Sequence, residues 1–535
     1  MKSFPTRTVA EVREALLAGR EIALLDVREE DPHAQSHPLF AANLPLAKLE
    51  LEAGTRLPRR SVPIVLLDNG EGFALRAAEK LDALGYTHVA LLEDGLAGWI
   101  RAGGEIFRDV NVPSKAFGEL VESQRHTPSL SAEAVNALLA SGEPVVVLDA
   151  RRFDEYQTMN IPGSISVPGA ELVLRARTLA PDPATRVIVN CAGRTRSIIG
   201  TQSLVNAGLP NPVAALRNGT IGWTLAGQTL EHGSARQFDP QAGRDATTLA
   251  PSREAARTLA DRAGVGRTTL HEAARWASDS TRTTYRFDVR TPAEYEEAHA
   301  PGFQGAPGGQ LVQETEMLAP VRGARVVLFD DDGVRANMTA SWLAQMNVDV
   351  YVVDEARAED LSEHGPWQAP KPPAPSVASI TPEALAARLG QTDHGTVILD
   401  FTSSANHVKA HIPGAWWTLR SHLASGFNDL RALPDAKRYV AVCMTNALAP
   451  FAAPEIAALT GKPVEVLEGG TAAWIRAGLP VESGDARLAS PRIDRYRRPY
   501  EGTDNAREAM NAYLEWEYGL VEQLGRDGTH GFFVI

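Results

Sequence analysis

The segment Cys191-Ala-Gly-Arg-Thr-Arg-Ser197 puts a nucleophile and two guanidinium groups in one short loop. The residues before it, Arg186-Val-Ile-Val-Asn190, are apolar and β-branched, and those after it, Ser197–Ala207, read as a helix. Cys191 therefore falls between a strand end and a helix N-terminus. Successive backbone N–H groups and the positive end of a helix both favour a thiolate, so the thiol pKa is expected below that of a free cysteine. Arg194 and Arg196 add positive charge and forked donors for an anionic substrate, with Gly193 and Thr195 completing the binding loop and Ser197 supporting it. A nucleophile in such a nest suits attack on a negatively charged sulfur or phosphorus compound.

The elements that position this loop recur along the chain. A short strand ends in Asp at Ile22–Asp26, Val145–Asp149, Tyr285–Asp288 and Val397–Asp400, and an Arg follows two residues later at Arg28, Arg151 and Arg290. Asp149 and Arg151 are expected to brace the Cys191 loop as an ion pair. Second strands at 63–67, 186–190, 325–329 and 439–442 lead into Asp68, Cys191, Asp330 and Cys443. From Asp26 to Asp68, Asp149 to Cys191 and Asp288 to Asp330 the separation is 42 residues, and from Asp400 to Cys443 it is 43. Near-equal separations between unlike residues indicate four homologous domains. Each copy continues with a helix (74–84, 197–207, 336–346, 450–459) and a strand (89–92, 213–216, 348–353, 464–467). Apolar strands alternating with helices predict an α/β fold, a small parallel sheet flanked by helices in each copy, with ligands outside the carboxyl ends of the strands.

Composition narrows the function. A net charge of −13, with no basic stripe carrying aromatics, argues against nucleic acid as a partner. No run of about 18 apolar residues predicts a membrane span. The interspersed charges Arg7, Glu11, Arg13 and Glu14 do not read as a signal peptide, and a reducing cytoplasm is the default location. Two cysteines, Cys191 and Cys443, are too few for a disulfide framework or a Cys-based zinc site, and no metal or cofactor is expected.

The expected domains span 1–112, 126–236, 266–366 and 376–484, with a C-terminal tail over 485–535. Residues 113–128 read as a linker. The polar stretch 233–265 is expected to hold a short helix capped by Ser252, and the Pro-rich run Pro366–Pro375 is a stiff linker. In the tail, 487–498 is basic and 504–524 reads as a helix bearing Tyr513, Trp516 and Tyr518. Packing on copy four is one reading of the tail, and a docking or homo-oligomer contact is the other.

Copy two resembles rhodanese domains over about 126–236. Asp149-Ala-Arg151 with Glu155-Tyr156, Ile161-Pro-Gly-Ser164, the Cys191 loop and Asn218-Gly-Thr-Ile-Gly-Trp223 follow the family's motif order, with Asn160 standing where the family has His. The resemblance implies four tandem three-layer domains and a sulfurtransferase. Cys191 would take sulfane sulfur from a small anionic donor of the thiosulfate or persulfide type. The enzyme persulfide so formed would pass sulfur to a thiol, cyanide or sulfite acceptor. Arg194 and Arg196 would orient the donor. A different reading makes the chain a sulfur carrier that relays persulfide sulfur to a partner. Cys-dependent phosphatases of this fold use Cys-x5-Arg. Here the sixth residue after Cys191 is Ser197 and the arginines lie at the third and fifth, so the loop is one residue shorter and favours sulfur over phosphate.

The other copies differ at that position. Copies one and three carry Asp68-Asn-Gly-Glu-Gly72 and Asp330-Asp-Asp-Gly-Val334, with no thiol, and each Asp can cap its own helix. They are expected to be non-catalytic. Copy four keeps Cys443 without an arginine, in Cys443-Met-Thr-Asn-Ala-Leu-Ala449. Cys443 is either a second sulfur site for uncharged or thiol-bound donors or a relic thiol in a structural domain.

Overall fold

Strands that read as continuous apolar runs are buried on both faces. In copy two Val187, Ile188 and Val189 are all fully buried. The computed structural model describes residues 3–354, 357–423, 433–499 and 507–535. Within them lie four sheets of one topology. In copy two the order across the sheet is Ser129–Leu130, Val213–Leu216, Arg186–Asn190, Val145–Asp149, Ile165–Ser166, all parallel. Copies one, three and four repeat that order. The strands ending at Asp149 and Asn190 are central neighbours, so the Asp-x-Arg turn and the Cys191 loop emerge side by side at one edge of the sheet. Helices on both faces complete each three-layer unit, as the hydrophobic pattern implies.

The copies are joined by buried charge and by one shared strand. Arg335 of copy three donates to Glu171 of copy two at 2.9 Å. Arg420 of copy four pairs with Glu50 of copy one at 2.7 Å. Val321–Arg322 of copy three adds antiparallel to Ile22–Ala23, extending the first sheet to six strands.

Three expectations need correction. The stretch read as a linker is a 14-residue helix, Val112–Arg125, whose Ser114, Lys115 and Glu119 are buried because other segments pair with them. The helix assigned to Ser252 starts earlier, at Ala246. Asp245 caps it through the amides of Thr247 and Thr248, Pro251 lies inside it, and Ser252 donates instead to the Val173 carbonyl at 3.2 Å. The first part of the tail does pack on copy four: the Trp417 amide donates to the Arg487 carbonyl, the Leu419 amide to Ser490 and the Ser404 amide to Asp494. Its helical part divides at Gly519 into Arg507–Tyr518 and Leu520–Asp527. Met510, Tyr513 and Leu514 pack on Ile221 of copy two, and Phe532 packs edge-on against Phe40 and Phe117. The apolar face of the tail is thus covered within the chain, by copies one to three. Residues 504–506 of the expected tail helix lie outside the described residues.

Candidate active site

Cys191 follows the strand Arg186–Asn190 directly, and the helix Thr195–Asn206 begins four residues later. A second short helix, Gly219–Leu225, holds the intervening loop from the side. Its Thr220 and Ile221 amides donate to the Cys191 and Ala192 carbonyls at 2.9 and 3.0 Å. In a trans peptide the N–H opposes the carbonyl, so the next amides of the loop face away from that helix. Gly219 makes this possible. It sits at φ +53°, and a β-carbon there would lie 2.3 Å from the Cys191 carbonyl oxygen.

The brace beneath the loop is fully buried. Arg151 Nε and Nη2 donate to Asp149 at 2.8 and 2.7 Å, and Nη2 also reaches the Met159 carbonyl. Asn190, just before the nucleophile, donates to the same carboxylate at 2.7 Å. Ser197 accepts from the Cys191 thiol at 3.4 Å and donates to the Arg194 carbonyl at 2.8 Å.

The two arginines divide. Arg194 does not face an open donor site. Glu119 of the Val112–Arg125 helix takes its Nε and Nη2 at 2.7 and 2.8 Å, Glu122 and Asn218 accept from it too, and the Tyr518 ring lies 4.3 Å away. Copy two alone does not contain those acids or that ring, so its own residues could not reveal this engagement. Arg196 pairs with Glu155 at 2.7 and 2.8 Å. It also lines a cleft of about 300 Å3 beside Ala192, where Arg151, Arg152, Arg495 and Arg498 meet Asp154, Glu155 and Glu314. Thr195 turns from the thiol toward an apolar cavity shared with Val173 and Trp342, and its buried hydroxyl has no hydrogen-bond partner among the described residues.

The expected lowering of the Cys191 pKa does not hold. Burial pushes the thiol up, Glu517 adds to that, and Arg196 with the Ser197 hydroxyl and amide only partly offsets it. Part of the tail lies against the same loop. A β-carbon at Gly193 would stand 3.2 Å from the Tyr513 ring and 3.4 Å from a Glu517 oxygen. A site role for Glu119, Glu155, Asn190, Tyr513 and Glu517 was not legible in the sequence, although Glu155, Asn190 and Tyr513 stand in segments it singles out. Asn190 and Glu155 lie in motifs that were visible, whereas Glu119 and the tail acids give no local signal. Arg495 and Arg498 fall in the basic run 487–498, which carries no local signal for the loop.

At the equivalent turns of copies one and three a carboxylate fills the space. Asp68 accepts from the Gly70 and Ala74 amides at 3.1 and 2.9 Å, and Asp330 from Gly333 and Ala336 at 3.0 and 2.8 Å. In copy four the Cys443 sulfur accepts from the Leu448 amide at 3.4 Å, and a His407–Asp400 contact of 2.8 Å stands where copy two has its Arg–Asp brace.

Comparison with known proteins agrees with the repeat. The family profile described as "Rhodanese-like domain" matches residues 8–102, 131–226, 269–359 and 381–477. A crystal structure of thiosulfate sulfurtransferase from Pseudomonas aeruginosa is 65% identical, with a TM-score of 0.96, covering 99% of this chain and 100% of that one. A rhodanese-related protein from Thermoplasma volcanium is 22% identical with a TM-score of 0.17, covering 20% of this chain and 97% of its own. No curated protein matches the chain.

Proposed function

The chain belongs to the rhodanese-like domain family and is a rhodanese-type sulfurtransferase, and we propose that it works through a persulfide on Cys191. In the first half-reaction the Cys191 thiolate attacks the sulfane sulfur of an anionic donor, thiosulfate or a persulfide. The donor's own S–S bond breaks and its remaining group leaves with the bonding pair. In the second, a thiol, cyanide or sulfite attacks the outer sulfur and frees Cys191. The relative from Pseudomonas aeruginosa is named for thiosulfate, which supports that anion as the donor.

The observation that carries this reading is the cleft beside Ala192. It brings Arg196 of the loop together with Arg151, Arg152, Arg495 and Arg498, five arginines against the three acids Asp154, Glu155 and Glu314, beside the loop that holds Cys191. Arg196 is the donor-facing arginine. Arg194 ties the loop to the Val112–Arg125 helix and to the tail. Asp149, Arg151 and Asn190 hold the strand end beneath the nucleophile. Copies one and three are scaffold, their would-be sites closed by their own aspartates. Cys443 stands outside transfer from anionic donors, because its loop offers one amide and no arginine. Both cysteines are free. The chemistry needs Cys191 reduced, so the reading places the protein in the cytoplasm. Among the described residues, no helix is long and apolar enough to cross a membrane.

Steady-state turnover of thiosulfate with cyanide tests the assignment. The Cys191→Ser variant is expected to be inactive. Retained turnover would reject Cys191 as the sulfur carrier, and an unmodified chain that loads once without turning over would favour the relay reading.

A further inference from the structure

One buried acid faces the sulfur loop and has no part in the steps above. Glu517, near the end of the Arg507–Tyr518 helix, is 1% exposed. Its Oε1 accepts from the Tyr513 hydroxyl at 2.9 Å, while Oε2 has no hydrogen-bond partner among the described residues. That unpaired oxygen lies against the loop, 3.4 Å from where a Gly193 β-carbon would stand. A buried polar atom left unsatisfied has lost its hydration without replacement, which is unfavourable. Here the unsatisfied oxygen abuts the loop whose amides would cradle the outer sulfur of a persulfide.

We propose that Glu517 is the acid–base group of the Cys191 site, protonating the outer sulfur of the Cys191 persulfide before the acceptor attacks it. The proposal rests on the persulfide reading. A persulfide anion repels an incoming thiolate, and a proton on its outer sulfur removes that charge. In the first half-reaction the donor's S–S bond breaks, sulfite leaves with the pair, and Cys191 holds a persulfide anion. The Glu517 carboxyl then gives its proton to the outer sulfur. The acceptor thiolate attacks that sulfur, the bond to Sγ breaks, and its electron pair returns to Cys191 as thiolate. The hydropersulfide product returns the proton to the Glu517 carboxylate and departs as an anion. No oxidant, reductant or net proton is needed.

The surroundings suit this role. Lys115 and Glu119 face Glu517 from the Val112–Arg125 helix, Arg194 and Cys191 from the loop, and Tyr513 from its own helix. Lys115 is itself held by Asp109 at 2.6 Å. Burial dominates and pushes the Glu517 carboxyl up to about 8, with Glu119 raising it further and Lys115, Tyr513 and Arg194 opposing. It therefore carries a proton at neutral pH, which a surface glutamate does not.

The test uses the full chain loaded with thiosulfate, freed of excess donor and mixed with 2-mercaptoethanol in a single turnover. In the unmodified protein the discharge rate, corrected for ionised thiol, should fall as pH rises through about 8. Glu517→Gln should still load sulfur on Cys191 but discharge it ~100-fold or more slowly and without that fall, and Glu517→Asp should recover part of the rate. Tyr513→Phe, which removes the donor that favours the carboxylate, should move the fall to higher pH and serves if the Gln variant does not fold. A Gln variant that discharges at the unmodified rate, or a Phe variant whose profile does not move, overturns the proposal. Absence of loading in the unmodified protein overturns the Cys191 reading instead.

Discussion

Arg194 and Glu119 form a two-bonded ion pair, 2.7 Å at Nε and 2.8 Å at Nη2, with both side chains about 5% exposed or less. Glu119 belongs to the helix between copies one and two, so the nucleophile's loop is fastened to a neighbouring element rather than to its own domain alone. Glu122 also accepts from Arg194. Removing one partner of a buried pair leaves an uncompensated charge. Glu119→Ala is therefore expected to destabilise the chain by about 3 kcal/mol, with Glu122 retaining some compensation. Denaturant unfolding measures it, and a change below about 0.5 kcal/mol would mean that the loop is not held this way.

Gly219 sets the backbone of Cys191. A β-carbon there would meet the Cys191 carbonyl oxygen at 2.3 Å in a left-handed conformation. Gly219→Ala should displace the loop, cost on the order of 1–3 kcal/mol in stability and lower sulfur-transfer kcat at least tenfold. Unchanged kcat in the folded variant would show that the loop tolerates the shift.

The pair between Arg196 and Glu155 predicts an acid dependence. Burial raises the Glu155 carboxyl, but Arg196, Arg151 and Arg152 more than offset this and hold it at about 2 against an ordinary 4.5. A lowered folded-state pKa stabilises the fold above pH 4.5, and that stability is lost as pH falls toward 2. Glu155→Gln should cost on the order of 2 kcal/mol at neutral pH, discounted because Glu155 is partly exposed, and the difference should vanish at the acid end. A difference that stays constant across this range in unfolding titrations would contradict the assignment.

Much of this was legible in the sequence for physical reasons. Parallel strands buried on both faces leave continuous apolar runs, so Val145–Asp149, Arg186–Asn190 and Val213–Leu216 stand out at their observed limits. The distance from Asp149 to Cys191 follows from two neighbouring strands ending at one edge. What stayed hidden depends on contacts remote in sequence. The segment 113–128 reads as a linker, and only the bonds to Gln313, Asp109 and Arg194 reveal why its Ser114, Lys115 and Glu119 are buried. Glu517 carries no motif, and nothing local announces that its helix crosses to copy two. The raised thiol pKa is hidden for the same reason, since the loop residues favour a thiolate while burial and Glu517 oppose it.

Cys443 gives a contrasting expectation. Its sulfur meets one amide and its loop has no guanidinium group, so Cys443→Ser should leave thiosulfate turnover within about twofold of the unmodified chain. A loss of tenfold or more would place copy four in the transfer path.

The most direct measurement is mass spectrometry of the intact chain and its peptides after brief exposure to thiosulfate. A single added sulfur on the peptide bearing Cys191, absent from the Cys443 peptide and discharged by cyanide, is the predicted result. An unmodified Cys191 peptide in a protein that still turns over would contradict the account.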